Sequence, residues 1–263
     1  MCAANTSKAK FLAEHPYCCF CGGKTRAVEE DHQPAKVFFL DRQWPEGFKF
    51  PACVRCNRAS RDSENIVSLL TSHFGGEASR ERYIKRRESV RTNFPEIIAS
   101  LEMSSNEKRR AAKKIGVFPE QGQTFFNLPI VKINPKIWFC HFAMIGRKLA
   151  LGLHYQCFQR PLPHGSAIYL GFHTNGDIFK GTDLLPFLQE APQLVIPMRN
   201  NRKMGEQFAV RYGSSAEDNA SLFVLNLHQR LVITALSIED PSSLGGAREA
   251  GWVEQPFIWP DFQ

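Results

Sequence analysis

The sequence predicts an α+β protein in three parts: a cysteine-rich N-terminal module over residues 1–72, a basic helical connector over 73–116 and a mixed α+β domain over 117–263. Three observations predict this division. C-x-x-C pairs occur only in the first part, basic residues crowd the second, and aromatic and β-branched residues become frequent in the third. A chain of 263 residues is long enough for one large domain or two smaller ones.

The composition excludes two broad classes of protein. Hydrophobic residues make up 43% of the chain and charged residues 22%, which is typical of a globular protein and not of a disordered one. No apolar run approaches the roughly 20 residues that a membrane helix needs, and the first residues, MCAANTSKAKF, contain no apolar signal region. We therefore expect a cytoplasmic protein with no membrane partner. In that reducing compartment the eight cysteines do not indicate a disulfide framework.

The N-terminal module contains two closely spaced pairs of cysteines. Cys18 and Cys21 form one C-x-x-C pair, and Cys53 and Cys56 form a second. Four thiolates in two such pairs are the ligand set of a tetrahedral structural zinc site. A single pair could be redox-active, whereas two pairs favour Zn²⁺; unrelated buried cysteines are the alternative.

Polar residues lie inside and directly after the loop that the cysteine pairs close. Asp31 and His32 are adjacent within it, and Asn57 follows the last cysteine. Adjacent residues of an extended strand point to opposite faces, so a shared role for Asp31 and His32 requires a local distortion. The stretch that begins at Asn57 predicts a helix that would carry Arg61 and Glu64 along the same face.

The order C-x-x-C, Asp-His, C-x-x-C-Asn resembles the HNH, or ββα-metal, endonucleases, in particular their zinc-ribboned branch of the endonuclease VII type. The resemblance covers residues 15–70 and rests on seven positions in the right order. It implies a ββα-metal fold and metal-dependent hydrolysis of phosphodiester bonds in nucleic acid, in DNA rather than RNA.

Roles for individual residues follow from the resemblance. It implies that His32 is the general base, that Asp31 and Asn57 hold one catalytic Mg²⁺ or Mn²⁺ with Glu64 as a further candidate ligand, and that the four cysteines hold structural Zn²⁺. The chemistry is consistent, because a neutral imidazole can accept a proton at cellular pH and carboxylate and amide oxygens suit these ions. One position departs from the family: Phe48 stands where an asparagine is usual.

The basic connector has two interpretations. Between residues 71 and 115 eleven basic residues stand against six acidic ones, an excess of five within the net charge of +7. Such a segment is either a solvated helical surface or an element that follows phosphates. The expected partner is nucleic acid, as double-stranded or branched DNA, and a homodimer stays open. The candidate contacts to nucleic acid are Lys36, Arg61, Arg86 and Arg87.

The predictions for the third part are mainly structural. Pro135 is expected to open a long apolar helix, and the pattern predicts strands over residues 125–133, 167–172, 193–198 and 208–212 and a hairpin about His228. The basic loop over residues 199–203 either contacts nucleic acid or is a solvated surface. The sequence does not choose whether this domain positions substrate, senses a signal or forms an oligomer.

Two classes of function therefore remain. The first is a metal-dependent endonuclease that uses Asp31, His32 and Asn57. The second is a zinc-ribbon module that binds nucleic acid without cutting it, and a degenerate nuclease lies between the two. The placement of Asp31, His32 and Asn57 favours the nuclease, because the binding module leaves that placement to coincidence, while Phe48 supports the degenerate form.

Overall fold

A computed structural model of the chain describes residues 3–39, 44–72, 77–121, 124, 130–174, 177–178, 181, 183–243 and 253–255. Helices and strands are mixed along it, as the predicted α+β class requires. The helices are α1 (Ala3–Glu14), α2 (Val54–Ala59), α3 (Arg61–Ser72), α4 (Glu77–Asn93), α5 (Pro95–Leu101), α6 (Ser105–Lys114), α7 (Pro135–Phe158) and α8 (Leu185–Glu190). The strands are β1 (Glu29–His32), β2 (Lys49–Ala52), β3 (Ala167–Thr174), β4 (Gln193–Val195), β5 (Met198–Arg199), β6 (Arg202–Lys203), β7 (Phe208–Ser215), β8 (Ala220–Leu227), β9 (Leu231–Ile238) and β10 (Val253–Gln255).

The N-terminal part contains a two-stranded antiparallel sheet followed by helices. Strands β1 and β2 pair so that His32 lies opposite Lys49, and α2 and α3 come directly after β2. A short 3-10 turn, Cys19–Cys21, precedes the sheet and ends at Gly22 and Gly23, whose φ angles are 58° and 77°. Glycine adopts this left-handed conformation without strain, so the chain can turn sharply after the first cysteine pair.

The connector is helical, as predicted, but the single helix predicted from Asn57 is two helices. Helix α2 begins earlier, at Val54, and ends before Ser60, and α3 begins at Arg61, so Asn57 does not share a helix with Arg61 and Glu64. Ile66, Leu69 and Leu70 are buried along one side of α3, as their spacing predicts. Helices α4, α5 and α6 form the connector. Helix α6 begins with a capping box, in which the Glu107 N–H donates to the Ser104 hydroxyl and the Glu107 carboxylate accepts from the Ser104 N–H.

The C-terminal part is built on helix α7 and an antiparallel sheet. The sheet has the strand order β10-β3-β9-β8-β7-β4, and β5 and β6 form a separate hairpin. The predicted hairpin about His228 is confirmed as β8 and β9. The strand predicted over 125–133 is wrong at residues 130–133, where Val131 and Ile133 pack against the buried core without regular structure; residues 125–129 lie outside the described part of the chain.

Helix α7 packs against both the cysteine-rich part and the sheet. It contacts α3 and the Cys19–Cys21 turn as well as β3, β8 and β9. At Gly152 it approaches β2 so closely that a Cβ atom would lie 3.1 Å from the ring of Phe50. One cluster of buried apolar side chains consequently includes residues from Cys18 to Ala235. It crosses residues 72 and 116, and the division of the chain into three parts at those positions stays a prediction. Among the described helices, none combines the length and apolar character needed to cross a bilayer.

Candidate metal centre and active site

The four paired cysteines meet at one point in the structure. The Sγ atoms of Cys18, Cys21, Cys53 and Cys56 all lie within 4.8 Å of one another, and all four residues are buried. Local geometry explains this, because the 3-10 turn delivers the first pair and the start of α2 delivers the second, where the Cys56 N–H donates to Cys53 Sγ at 3.4 Å. The cluster could hold a metal ion such as zinc. Cys19 is buried beside it, and burial raises its pKa well above the usual value.

Strand β1 gives Asp31 and His32 different surroundings. Asp31 lies on the side covered by α3 and α7 and is only 6% exposed. Its carboxylate lies 2.5 Å from Lys148 Nζ and accepts a hydrogen bond from Gln33 Nε2 at 3.2 Å. Burial raises the pKa of the Asp31 carboxyl, and the Lys148 ammonium opposes that shift.

Lys148, on α7, contacts the Asp31 and Glu64 carboxylates but belongs to none of the motifs that predicted the site. It is 4% exposed, donates a 2.7 Å hydrogen bond to Ser60 Oγ and lies 3.7 Å from the Glu64 carboxylate. Ser60 Oγ in turn donates to Glu64 at 2.5 Å. The sequence did contain an indication, because Lys148 lies three residues from Ile145 on the buried side of an apolar helix, where a lysine needs a counter-charge.

His32 lies under an aromatic and cationic cover. Its ring centroid is 4.6 Å from that of Trp44. Trp44 also lies against two cations, with Lys36 Nζ 3.6 Å and the Arg199 guanidinium carbon 4.4 Å from its ring centroid. His32 Nδ1 is buried and has no hydrogen-bond partner among the described residues, which do not include 40–43.

Electrostatics keep the His32 imidazole neutral. Burial, followed by the positive charges of Lys36, Lys49 and Arg199, lowers the pKa of His32 to about 3. Lys49 forms an ion pair with Glu30 on this side, with its Nζ 3.1 Å from the Glu30 carboxylate. The imidazole is therefore neutral at pH 7 and lies in surroundings that attract an anion. The same burial and cations make it a weak proton acceptor until an anion binds among them.

The cover over His32 is held by the C-terminal part of the chain. The Glu46 N–H donates to the Met198 carbonyl at 3.0 Å, and the Asn200 N–H donates to the Glu46 carboxylate at 3.2 Å. These bonds fix the segment after Trp44 against the β5–β6 hairpin, which supplies Arg199. The sequence indicated the basic loop that begins at Arg199 but not its position beside His32, and it gave no indication of Trp44, because contacts between segments this far apart belong to no local motif.

Asn57, the third predicted site residue, has a separate partner. Its Nδ2 donates a 2.5 Å hydrogen bond to Glu29, which precedes Asp31 by two residues on β1. This bond uses the amide nitrogen and not Oδ1. The structure therefore gathers Asp31, His32 and Asn57 around one strand–helix unit but gives each a different set of contacts.

The resemblance implies a catalytic divalent ion at Asp31, Asn57 and Glu64. Oxygen donors of the right chemistry are present in Asp31, Asn57 and Glu64. The Lys148 ammonium, however, already provides the cation that Asp31 and Glu64 share. As arranged, these residues do not fit a divalent ion at Asp31.

The residues predicted to contact nucleic acid differ in their surroundings. Arg61 is exposed at the start of α3. Arg87 lies 3.5 Å from an acidic residue of the connector, Glu102. The Arg86 guanidinium donates to the carbonyls of Ser68 and Val37, at 3.1 and 2.8 Å, and thereby ties α4 to the N-terminal part.

Phe48, the departure from the family pattern, is part of the core. It is 6% exposed, and its ring centroid lies 5.2 Å from that of Phe208 in an edge-on arrangement. Its carbonyl accepts a hydrogen bond from the Gln33 N–H at 3.2 Å. The position expected to carry a polar loop residue thus anchors β2 to the C-terminal sheet.

These features define a mixed α+β protein in which a four-cysteine centre closes an antiparallel β1–β2 pair onto α2 and α3. Comparisons of the chain with family models, with curated proteins and with solved structures found no match in any of the three.

Proposed function

We propose that the protein is an endonuclease that hydrolyses phosphodiester bonds in nucleic acid, with DNA as substrate and His32 as the general base. The arrangement of the cysteine-closed unit supports the proposal. Two antiparallel strands are followed by a helix, with the Asp-His pair on the first strand and Asn57 in α2. This is the order that the resemblance to ββα-metal endonucleases requires.

One observation carries the proposal: His32 has a neutral imidazole with an unpartnered nitrogen, Nδ1, among three cations. Hydrolysis of a phosphodiester needs an acceptor for the proton of the attacking water. His32 would supply it once a bound phosphate offsets the three cations, because that negative charge raises the pKa of the imidazole again. Lys36, Lys49 and Arg199 would attract the phosphate and offset the negative charge that develops during the attack.

A second candidate function, a non-catalytic zinc-ribbon module or degenerate nuclease that binds nucleic acid, is favoured by two specific observations. Lys148 occupies the carboxylate that the family uses for metal, and Phe48 replaces the polar loop residue with a core contact. These observations concern the divalent-metal site and the loop, and neither changes His32, the proposed proton acceptor.

The test is cleavage of duplex, branched and single-stranded DNA and RNA by the zinc-loaded chain, with Mg²⁺, with Mn²⁺ and with neither. Wild type is compared with His32→Ala and with His164→Ala, a control at an exposed histidine. We expect His32→Ala to reduce the cleavage rate by about 10²–10⁴-fold, the usual contribution of a general base, and His164→Ala to leave it unchanged.

Zinc content and circular dichroism of His32→Ala should match those of wild type. Equal cleavage by wild type and His32→Ala would remove His32 from the mechanism. Retention of nucleic acid without cleavage under every condition would instead support the binding module.

A further inference from the structure

We propose that Lys148 is a built-in cation that competes with divalent metal ions for the carboxylates of Asp31 and Glu64. The inference rests on the proposed function in taking Asp31 as part of the site. It assigns a role to a residue in the C-terminal part of the chain, outside the segment that resembles a nuclease.

The contacts of Lys148 place its charge between a strand and a helix of the N-terminal unit. Its Nζ lies 2.5 Å from Asp31 on β1, 3.7 Å from Glu64 on α3 and 2.7 Å from Ser60. These are hard oxygen donors, which Mg²⁺ and Mn²⁺ also prefer. The ammonium and a divalent ion would require the same carboxylate oxygens, so one excludes the other.

The burial of Lys148 makes this competition strong. At 4% exposure the ammonium cannot move into water without rearrangement of its helix, and the Phe20 ring centroid lies 5.0 Å from Nζ. A divalent ion placed beside an ammonium that stays would be repelled strongly at low local dielectric.

Helix α7 has little freedom to withdraw Lys148. Gly152, one turn further along, lies against Phe50 on β2, and Gly146 lies against Phe172 and Leu170 of the C-terminal sheet. The helix is therefore fixed on both flanks of Lys148. We infer that weak binding of divalent ions at Asp31 is a property of the fold and not only of the site's ligands.

The experiment measures Mn²⁺ binding by the electron paramagnetic resonance signal of free Mn²⁺, with the zinc-loaded full chain. We expect wild type to bind Mn²⁺ at Asp31 more weakly than about 1 mM. Lys148→Met should bind one Mn²⁺ at least roughly tenfold more tightly, and Lys148→Met/Asp31→Asn should lose that gain. The control Lys136→Met removes an exposed lysine of α7 and should leave Mn²⁺ binding unchanged.

Two results would overturn the proposal. The first is that the Lys148→Met variant binds Mn²⁺ no better than wild type although its zinc content and circular dichroism are normal. The second needs no lysine variant: tight binding of one Mn²⁺ by wild type that is abolished by Asp31→Asn. Because the readout is metal binding, failure to cleave nucleic acid would count against the proposed function alone.

Discussion

The two faces of strand β1 use adjacent residues in opposite ways. On one face, Asp31 is buried and its carboxylate is paired with Lys148 and Gln33. On the other, His32 is half-buried, keeps Nδ1 without a partner among the described residues and lies among cations. We call the first the closed face, because the charge of Asp31 is compensated there. The second, the open face, has a buried imidazole nitrogen without a partner among the described residues and three cations near it.

The two faces of β1 are expected to affect different properties, the stability of the fold on the Asp31 side and reactivity on the His32 side. Removal of one partner of a buried ion pair destabilises a protein, because the remaining charge stays buried without compensation. A half-buried imidazole with an unsatisfied nitrogen contributes little to the fold, and its surroundings suit an anionic substrate. Variants on the Asp31 face should therefore change unfolding, and variants on the His32 face should change reactivity.

The largest effect is expected from the cysteine cluster, which holds both faces together. Replacement of Cys18, Cys21, Cys53 and Cys56 by serine should unfold the N-terminal part, since structural zinc binding supplies on the order of 10 kcal/mol to small domains. Thermal melts by circular dichroism and zinc analysis measure this. Cys140→Ser, at an exposed cysteine, is the control; a melting profile of the quadruple variant equal to wild type would argue against a structural metal.

The next largest loss of stability is expected from variants of the closed face, which contains Asp31 and Lys148. Lys148→Met should lower the free energy of unfolding by about 3–5 kcal/mol, because Asp31 would stay buried without its counter-charge. Adding Asp31→Asn should recover part of that loss. Urea unfolding of both single variants and the double variant gives the coupling energy, with Lys136→Met at an exposed position of α7 as control. Additive losses would show that Asp31 and Lys148 do not depend on each other.

A third, smaller effect on stability is expected at His154, a fully buried imidazole whose Nδ1 is hydrogen-bonded and whose Nε2 has no hydrogen-bond partner among the described residues. His154 Nδ1 bonds the hydroxyls of Ser221 and Ser237, Nε2 lies 4.0 Å from Glu239, and burial together with Arg160 lowers its pKa to about 4. The unfolded chain takes up this proton near pH 6.5, and the folded chain does not until about pH 4.

The stability contributed by neutral His154 is therefore complete above pH 6.5 and is lost as the pH falls towards 4. At pH 5 the loss should reach about 2 kcal/mol. Urea midpoints at pH 7 and pH 5 measure it, and His154→Gln should show a smaller difference between them. An identical acid loss in His154→Gln would assign the effect to other groups.

The smallest effect on stability is expected at the cover of the open face. Trp44→Ala removes two cation–π contacts and should lower the free energy of unfolding by about 1–2 kcal/mol. It should also make His32 react faster with diethylpyrocarbonate, measured by mass spectrometry of the modified peptide. Exposed His164 provides the internal reference, and an unchanged rate at His32 would mean that Trp44 does not restrict access.

Much of the local structure could be predicted from the sequence. The spacing of the cysteine pairs indicated the four-thiol cluster, because two residues between cysteines allow both sulfurs to reach one ion. Helix α7 and the β8–β9 hairpin were likewise predicted from their start and turn residues. The opposite faces of Asp31 and His32 follow from strand alternation.

Tertiary structure alone decided the partners of those residues. Lys148 meets Asp31, and Arg199 and Trp44 cover His32, only because α7 and the β5–β6 hairpin pack onto the N-terminal unit. Residues a few positions apart are held by backbone geometry, so spacing predicts their contacts. Contacts between distant segments depend on which apolar surfaces pack together, and one sequence read position by position does not contain that information.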